Sequence, residues 1–165
     1  MKQLIIRKTN RKDLSNVMGI YAEARKFMCA NGNPNQWGNN HPTQLTIEDD
    51  IRRGTSYLCI HKNAIAAVFY FNVEADPTYS KIDGKWLYDS SSYGVVHRIA
   101  RAENGAGAGA FCLNWCFAQH PNIRIDTHKD NIPMLALLNK LGFVYCGVIW
   151  LANGDERLAF QRVYG

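Results

Sequence analysis

No stretch of the sequence approaches the roughly 18 consecutive apolar residues that a membrane-spanning helix requires, and Met1-Lys2-Gln3-Leu4-Ile5-Ile6-Arg7 carries charge too early to read as a leader segment. Internal repeats, low-complexity tracts and linker-like composition are also missing. Cysteine is present but never in paired metal spacing. Cys29, Cys59, Cys112, Cys116 and Cys146 are odd in number and lie in apolar stretches, which points to reduced thiols packed as small hydrophobes. Nor is there a basic stripe interleaved with aromatics. The net charge of +5 is spread over scattered positions such as Arg7, Lys8, Arg11, Lys12, Arg52, Arg53 and Lys62. That charge suits an anionic ligand and nucleic acid alike, and its scatter, with no stripe, reads as a solvated surface rather than a nucleic-acid footprint. What remains is a chain of 165 residues, 47% of them hydrophobic, expected to form one cytoplasmic domain over 1–165 with no metal and no membrane contact.

Periodicity lays out the elements. Residues 3–8 read as a strand, and Asn10 with Asp13 three places on caps a helix running to about Met28. Leu14, Val17, Met18, Tyr21 and Ala22 form its one apolar stripe. Residues 31–44 have loop composition with one conspicuous aromatic, Trp37, which either lines a binding surface or anchors the loop. Thr46 with Asp49 starts a short helix that ends near Gly54. Residues 56–61 and 65–73 form a hairpin about Lys62-Asn63. A second loop spans residues 74–94, carries Tyr79, Trp86, Tyr88 and Tyr93, and is a second candidate substrate wall. Then come a strand over 95–101, a glycine-rich loop, and a helix over 109–119 apolar enough around its circumference to be buried. A short strand over 123–127 leads to a helix over 132–141 with Asn131 as cap and Gly142 as stop. Strands over 144–152 and 156–163 meet at Asn153-Gly154.

Chemistry concentrates at Gly105-Ala106-Gly107-Ala108-Gly109-Ala110. A strand entering small residues and then a helix lets backbone N–H groups and the helix dipole face an anion, phosphate above all. No Lys-Ser or Lys-Thr follows to make a nucleotide P-loop. Gly105, Gly107 and Ala110 do fit the dinucleotide fingerprint, with Asp126 about 20 residues further on. The elements before the loop are hairpin-like rather than repeated parallel βαβ units, which disfavours that cofactor.

The order strand, two helices, hairpin, strand, glycine loop, helix, strand, helix, two strands resembles the GCN5-related N-acetyltransferase (GNAT) family over nearly the whole chain. Its most specific segments are His97-Arg98-Ile99-Ala100 running into the glycine loop, and Asn131-Ile132-Pro133-Met134 through Lys140-Leu141-Gly142-Phe143. The resemblance implies an α/β (α+β) domain with a central mixed, mostly antiparallel sheet of six to seven strands flanked by about four helices. It implies acetyl-CoA as acetyl donor. The pyrophosphate would lie on backbone around Asn104, Gly105, Ala106, Gly107, Ala108, Gly109 and Ala110, and the pantetheine along Ile99, Ala100 and Arg101, where two strands splay. Asn131, Met134 and Lys140 would contribute from the last helix. Two positions depart from the family pattern: Asn104 stands where an Arg or Gln is usual, and Leu138 where many relatives carry a tyrosine that protonates the leaving thiolate.

The implied reaction is direct attack of a neutral primary amine on the thioester. An alkyl amine with pKa near 10.4 is less than about 0.1% neutral at pH 7, so a base is required. His97 is the first candidate, placed by strand alternation on the same face as Ile99, against the alternative of a histidine with a fixed hydrogen bond inside the sheet. Tyr145 is a second candidate, as proton donor or substrate contact. Trp37 and Tyr93 are the candidate acceptor contacts from the two loops. Asp126, His128 and Asp130 alternate without a metal spacing. The acceptor is a small-molecule or amino-acid-like amine; a peptide N-terminus, or a CoA-binding module without chemistry, are the alternatives. Monomer and homodimer both remain open.

Overall fold

The computed structural model describes residues 3–89 and 92–164. In order these form β1 Leu4–Lys8, α1 Leu14–Ala30, α2 Gln44–Arg53, β2 Ser56–His61, β3 Ala64–Val73, β4 Asp83–Gly84, β5 Gly94–Arg101, α3 Ala108–Gln119, β6 Asn122–Thr127, α4 Ile132–Lys140, β7 Val144–Trp150 and β8 Glu156–Val163. They divide into two compact units, Met1–Phe71 with His97–Leu113, and Asn72–Val96 with Asn114–Gly165. The residues of β5 and α3 are split between the two.

In the first unit the strand order is β1-β2-β3-β5. The hairpin closes at His61↔Ala64, one residue earlier than the sequence suggests, because Lys62 (φ 48) and Asn63 (φ 66) both take the left-handed conformation of a two-residue turn. Asn10 caps as expected. Its side chain accepts from the Lys12 N–H, but the first turn, Arg11–Asp13, is a 3-10 turn and α1 proper begins at Leu14. Val17 and Tyr21 on α1 bury against Ile47, Leu58, Val68 and Ala100, with Leu14, Met18 and Trp37 packed on this core. The start of α2 is corrected. Thr43, not Thr46, is its cap, accepting from the Thr46 N–H, and Gly54 at φ 71 ends it.

In the second unit the order is β5-β6-β8-β7-β4. β5 pairs parallel with β6 at Gly94↔Ile123 and Val95↔Arg124; the other described pairings are antiparallel. Tyr79, Trp86, Val95, Cys146, Ile149 and Ala159 form the core. The stretch 74–94 is more than a loop, although Ser90 and Ser91 lie outside the described residues. Pro77–Tyr79 forms a 3-10 turn capped by Asp76, and Asp83–Gly84 pairs with β7 as an eighth strand where six to seven were expected. Asp-Gly reads as a turn, and only the approach of Gly84 to Gly147 makes it a strand: a β-carbon on Gly147 would stand 2.1 Å from the Asp83 carbonyl oxygen. The expectation that α3 is buried holds for one side of the helix only. Cys112, Leu113, Cys116 and Phe117 are buried, but Phe111 is 36% exposed, and Asn114, Ala118 and Gln119 face solvent.

Gly147 has φ 147 as well as a crowded neighbour, so Gly147→Ala is expected to lower stability by about 1–3 kcal/mol. Urea unfolding would show a lower midpoint at unchanged slope; an unshifted midpoint would mean that β4 is not held this closely to β7.

Candidate active site

β5 ends at Arg101 and the chain turns before entering α3. The Ala102 N–H donates to the Ala66 carbonyl, that of Gly105 to Ala102, and that of Ala108 to Gly105, each at 2.9 Å. The glycines here answer different constraints. A β-carbon on Gly105 would stand 2.1 Å from the Ala66 carbonyl oxygen, so glycine is what lets the loop lie against β3. Gly107 has φ +83 and open space where a β-carbon would point. The first helical bond runs from the Phe111 N–H to the Gly107 carbonyl at 3.2 Å, which leaves the N–H groups of Gly109 and Ala110 without an acceptor inside the helix. An open, glycine-kinked turn with helix N–H groups at its head is a fit for a pyrophosphate. Around the turn, Ala100 and Ala108 are in the core and Gly105 is buried, while Arg101, Glu103, Asn104 and Ala106 are exposed and Ile99 is half-buried.

Upstream on β5 lies a feature the sequence did not reveal. Arg98 has φ 50 in mid-strand, a left-handed conformation that a bulky residue keeps only when its surroundings hold it. Its Nε donates to Asp50 Oδ2 at 3.0 Å, and its Nη2 to Oδ1 at 2.9 Å and Oδ2 at 2.8 Å. The guanidinium lies 4.9 Å from the Tyr70 ring centroid, and the Arg98 carbonyl accepts the Tyr21 hydroxyl at 2.8 Å. The Asp50 and Arg98 side chains are 6% and 17% exposed, so loss of one partner alone would cost about 3–5 kcal/mol. Burial raises the Asp50 carboxyl above the usual range, with Arg98 and, more weakly, His97 pulling it back; burial likewise raises the Tyr21 phenol. His97 is half-buried, its ring 5.4 Å from that of Tyr70. The left-handed Arg98 also breaks the two-residue alternation, so the inference that His97 and Ile99 share a strand face does not carry across it.

Trp37, also in the first unit, packs edge-on against Tyr21 at 5.7 Å and against His41 at 6.2 Å. In the second unit, the Tyr93 hydroxyl accepts the Asp76 N–H at 3.0 Å. The Arg124 guanidinium lies 4.0 Å from the Tyr93 ring and 4.2 Å from Trp86. The Asn131 side chain accepts the Met134 N–H at 3.2 Å and so caps α4, while Lys140 is exposed in its last turn. Tyr145 is 54% exposed on β7, with its ring against Phe160. Leu138 is fully buried. Tyr79 donates to Asp126 at 2.6 Å, and burial together with that carboxylate lifts its phenol well above the usual range. Among the described residues, no cluster of three metal-capable side chains occurs, and no helix is long and apolar enough to cross a membrane.

No family model matches the sequence, and neither does any curated protein. Among solved structures, an acetyltransferase of the GNAT family from Streptococcus agalactiae is 31% identical over 100% of this chain and 98% of its own, with a TM-score of 0.90. The chain belongs to the GNAT family. Two more distant structures share the GNAT fold. The ribosomal-protein-alanine N-acetyltransferase from Brucella melitensis is 16% identical over 97% of this chain and 99% of its own, at a TM-score of 0.65. The NatC complex bound to Gag peptide and CoA is 9% identical over 99% of both chains, also at 0.65. As a GNAT protein the chain is an acetyl-CoA-dependent N-acetyltransferase. For a GNAT enzyme, a buried Leu138 means that this position supplies packing and no proton. Asp50 and Tyr21 carry no local signal, because an Asp in the acidic run Glu48-Asp49-Asp50 and a Tyr in an apolar stripe look like ordinary helix residues.

His128 follows the end of β6, its Nδ1 accepting the Asp130 N–H at 3.0 Å. Burial, then Arg157, lowers its pKa. The unfolded chain therefore holds a proton there more readily than the folded one, and the stability present above about pH 6.5 is lost as pH falls from that value through the lowered one. His128→Asn, which keeps an acceptor near the Nδ1 position, should flatten that limb of the stability–pH curve in denaturant melts from pH 7.5 to 5; a curve parallel to wild type would remove His128 as its source.

Proposed function

We propose that the protein transfers the acetyl group of acetyl-CoA to the primary amine of a small-molecule or amino-acid-like acceptor, residues 1–165 acting as one catalytic domain. The observation that carries this reading is the turn from β5 into α3, where Gly107 takes a left-handed backbone over open space and Gly109 and Ala110 lie in the first turn of the helix that follows. The cofactor, when bound, supplies an activated thioester. Backbone from Asn104 to Ala110, with Ala106 among them, receives its pyrophosphate, and the Ile99–Arg101 edge orients its arm. Arg101 in the first unit, and Asn131, Met134 and Lys140 in the second, are the further cofactor contacts this reading assigns. His97 takes the proton from the acceptor ammonium, directly or through water. Tyr145, exposed on β7, serves as a contact or proton donor, and Trp37 and Tyr93 stiffen the two acceptor walls through their packing. With Leu138 apolar, the thiolate leaves without a dedicated acid, which the ordinary acidity of an alkyl thiol, with a pKa of about 8.5, tolerates.

The direct test is thiol release from acetyl-CoA across a panel of alkyl amines, amino acids and short peptides. It is paired with thermal shifts by CoA, acetyl-CoA, NAD and ATP. Stabilisation by CoA and acetyl-CoA alone, with release on small amines, is the expected outcome. Stabilisation by NAD instead would favour a dinucleotide site, release only with peptides would move the acceptor class, and stabilisation without release would leave a binding module. His97→Gln is expected to lower kcat about 10²-fold or more with little change in the KM for acetyl-CoA; wild-type kcat would take His97 out of the mechanism.

A further inference from the structure

Arg98 lies between the two stretches of β5 that the proposed reaction uses. His97 precedes it and the Ile99–Arg101 edge follows it, so the backbone angle at Arg98 sets how those two stretches are oriented to each other. That angle is φ 50, and three elements converge to hold it. Tyr21 from α1 donates to the Arg98 carbonyl at 2.8 Å, Asp50 from α2 takes the guanidinium in three hydrogen bonds of 2.8–3.0 Å, and Tyr70 from β3 lies against it at 4.9 Å. Stability does not account for this arrangement. A buried ion pair is commonly no more stabilising than apolar residues of the same volume, and a glycine would take the same φ without strain. Neither side chain needs the other to complete the sheet. What the pair does supply is a fixed shape at one backbone position.

We propose that Asp50, Arg98 and Tyr21 are positioning residues that lock the left-handed kink of β5, so that His97 and the Ile99–Arg101 edge are presented to the same acetyl transfer. This rests on the N-acetyltransferase reading above. The three act through the backbone and touch neither donor nor acceptor, so their loss acts on turnover more than on cofactor binding.

Two double variants separate shape from side-chain chemistry. Asp50→Asn with Arg98→Ala and Asp50→Asn with Arg98→Gly both remove the ion pair without leaving a buried charge, and differ in whether residue 98 accepts a positive φ. With the best amine from the wild-type panel, the alanine double should lose about tenfold or more in kcat while its KM for acetyl-CoA stays within about threefold. The glycine double should stay within about threefold of wild-type kcat. Equal kcat in the two doubles, whether both low or both normal, overturns the proposal. If thermal melting shows that either double is unfolded, the single variant Asp50→Asn decides: a several-fold fall in kcat at near-constant KM for acetyl-CoA is expected, and an unchanged kcat overturns it. Wild-type protein that releases no thiol with any amine would instead sink the N-acetyltransferase reading itself, a result that these variants cannot produce.

Discussion

A charged pair beneath a strained strand residue is the constraint on which the first unit turns. Arg98 keeps a left-handed backbone in the middle of β5 only because Asp50 and Tyr21 grip its side chain and its carbonyl. The packing of α1 and α2 on the sheet follows the same logic: Val17, Tyr21 and Ile47 bury against Leu58, Val68 and Ala100, and that burial brings the two polar groups to β5. Apolar packing supplies the energy of attachment, and the ion pair supplies registry.

The glycine loop works by a different division of labour. Gly105 is needed because Ala66 is too close for any side chain, and Gly107 because the backbone turns left-handed over open space. Together they bring the head of α3 round with two N–H groups unpaired by the helix. Anion binding through backbone N–H groups, as proposed for this turn, needs no charged side chain, which is compatible with Asn104 standing where a longer polar residue is usual in the GNAT family. In the second unit, by contrast, a buried guanidinium organises the loop. Arg124 is sandwiched by Trp86 and Tyr93 and reaches Tyr88 and Asp89, so the stretch with the composition of a loop is pinned from beneath by β6.

Local signals and long-range ones separate cleanly along this chain. The capping pair Asn10 and Asp13, the Lys62-Asn63 turn, the Asn131 cap and the Gly142 stop at φ 80 are set by neighbouring residues, and each was legible because propensity and side-chain chemistry act within a few positions. The strand–glycine–helix order belongs to the same class, and with it the proposed anion site and the family resemblance.

Two features needed the folded chain. Asp83–Gly84 becomes a strand only because Gly147, far along the sequence, has no side chain to keep it away. The cap of α2 at Thr43, by contrast, is as local as the others, a bond from the Thr46 N–H that the Thr46 and Asp49 pattern passed over. The kink at Arg98 depends on groups from α1, α2 and β3, and no local propensity predicts a positive φ for arginine. The sequence by itself determined the element order and the glycine turn proposed to receive phosphate, because both arise from nearest-neighbour backbone chemistry. Tertiary structure alone decided how β5 is bent beside its histidine, because that bend is held by contacts distant in sequence.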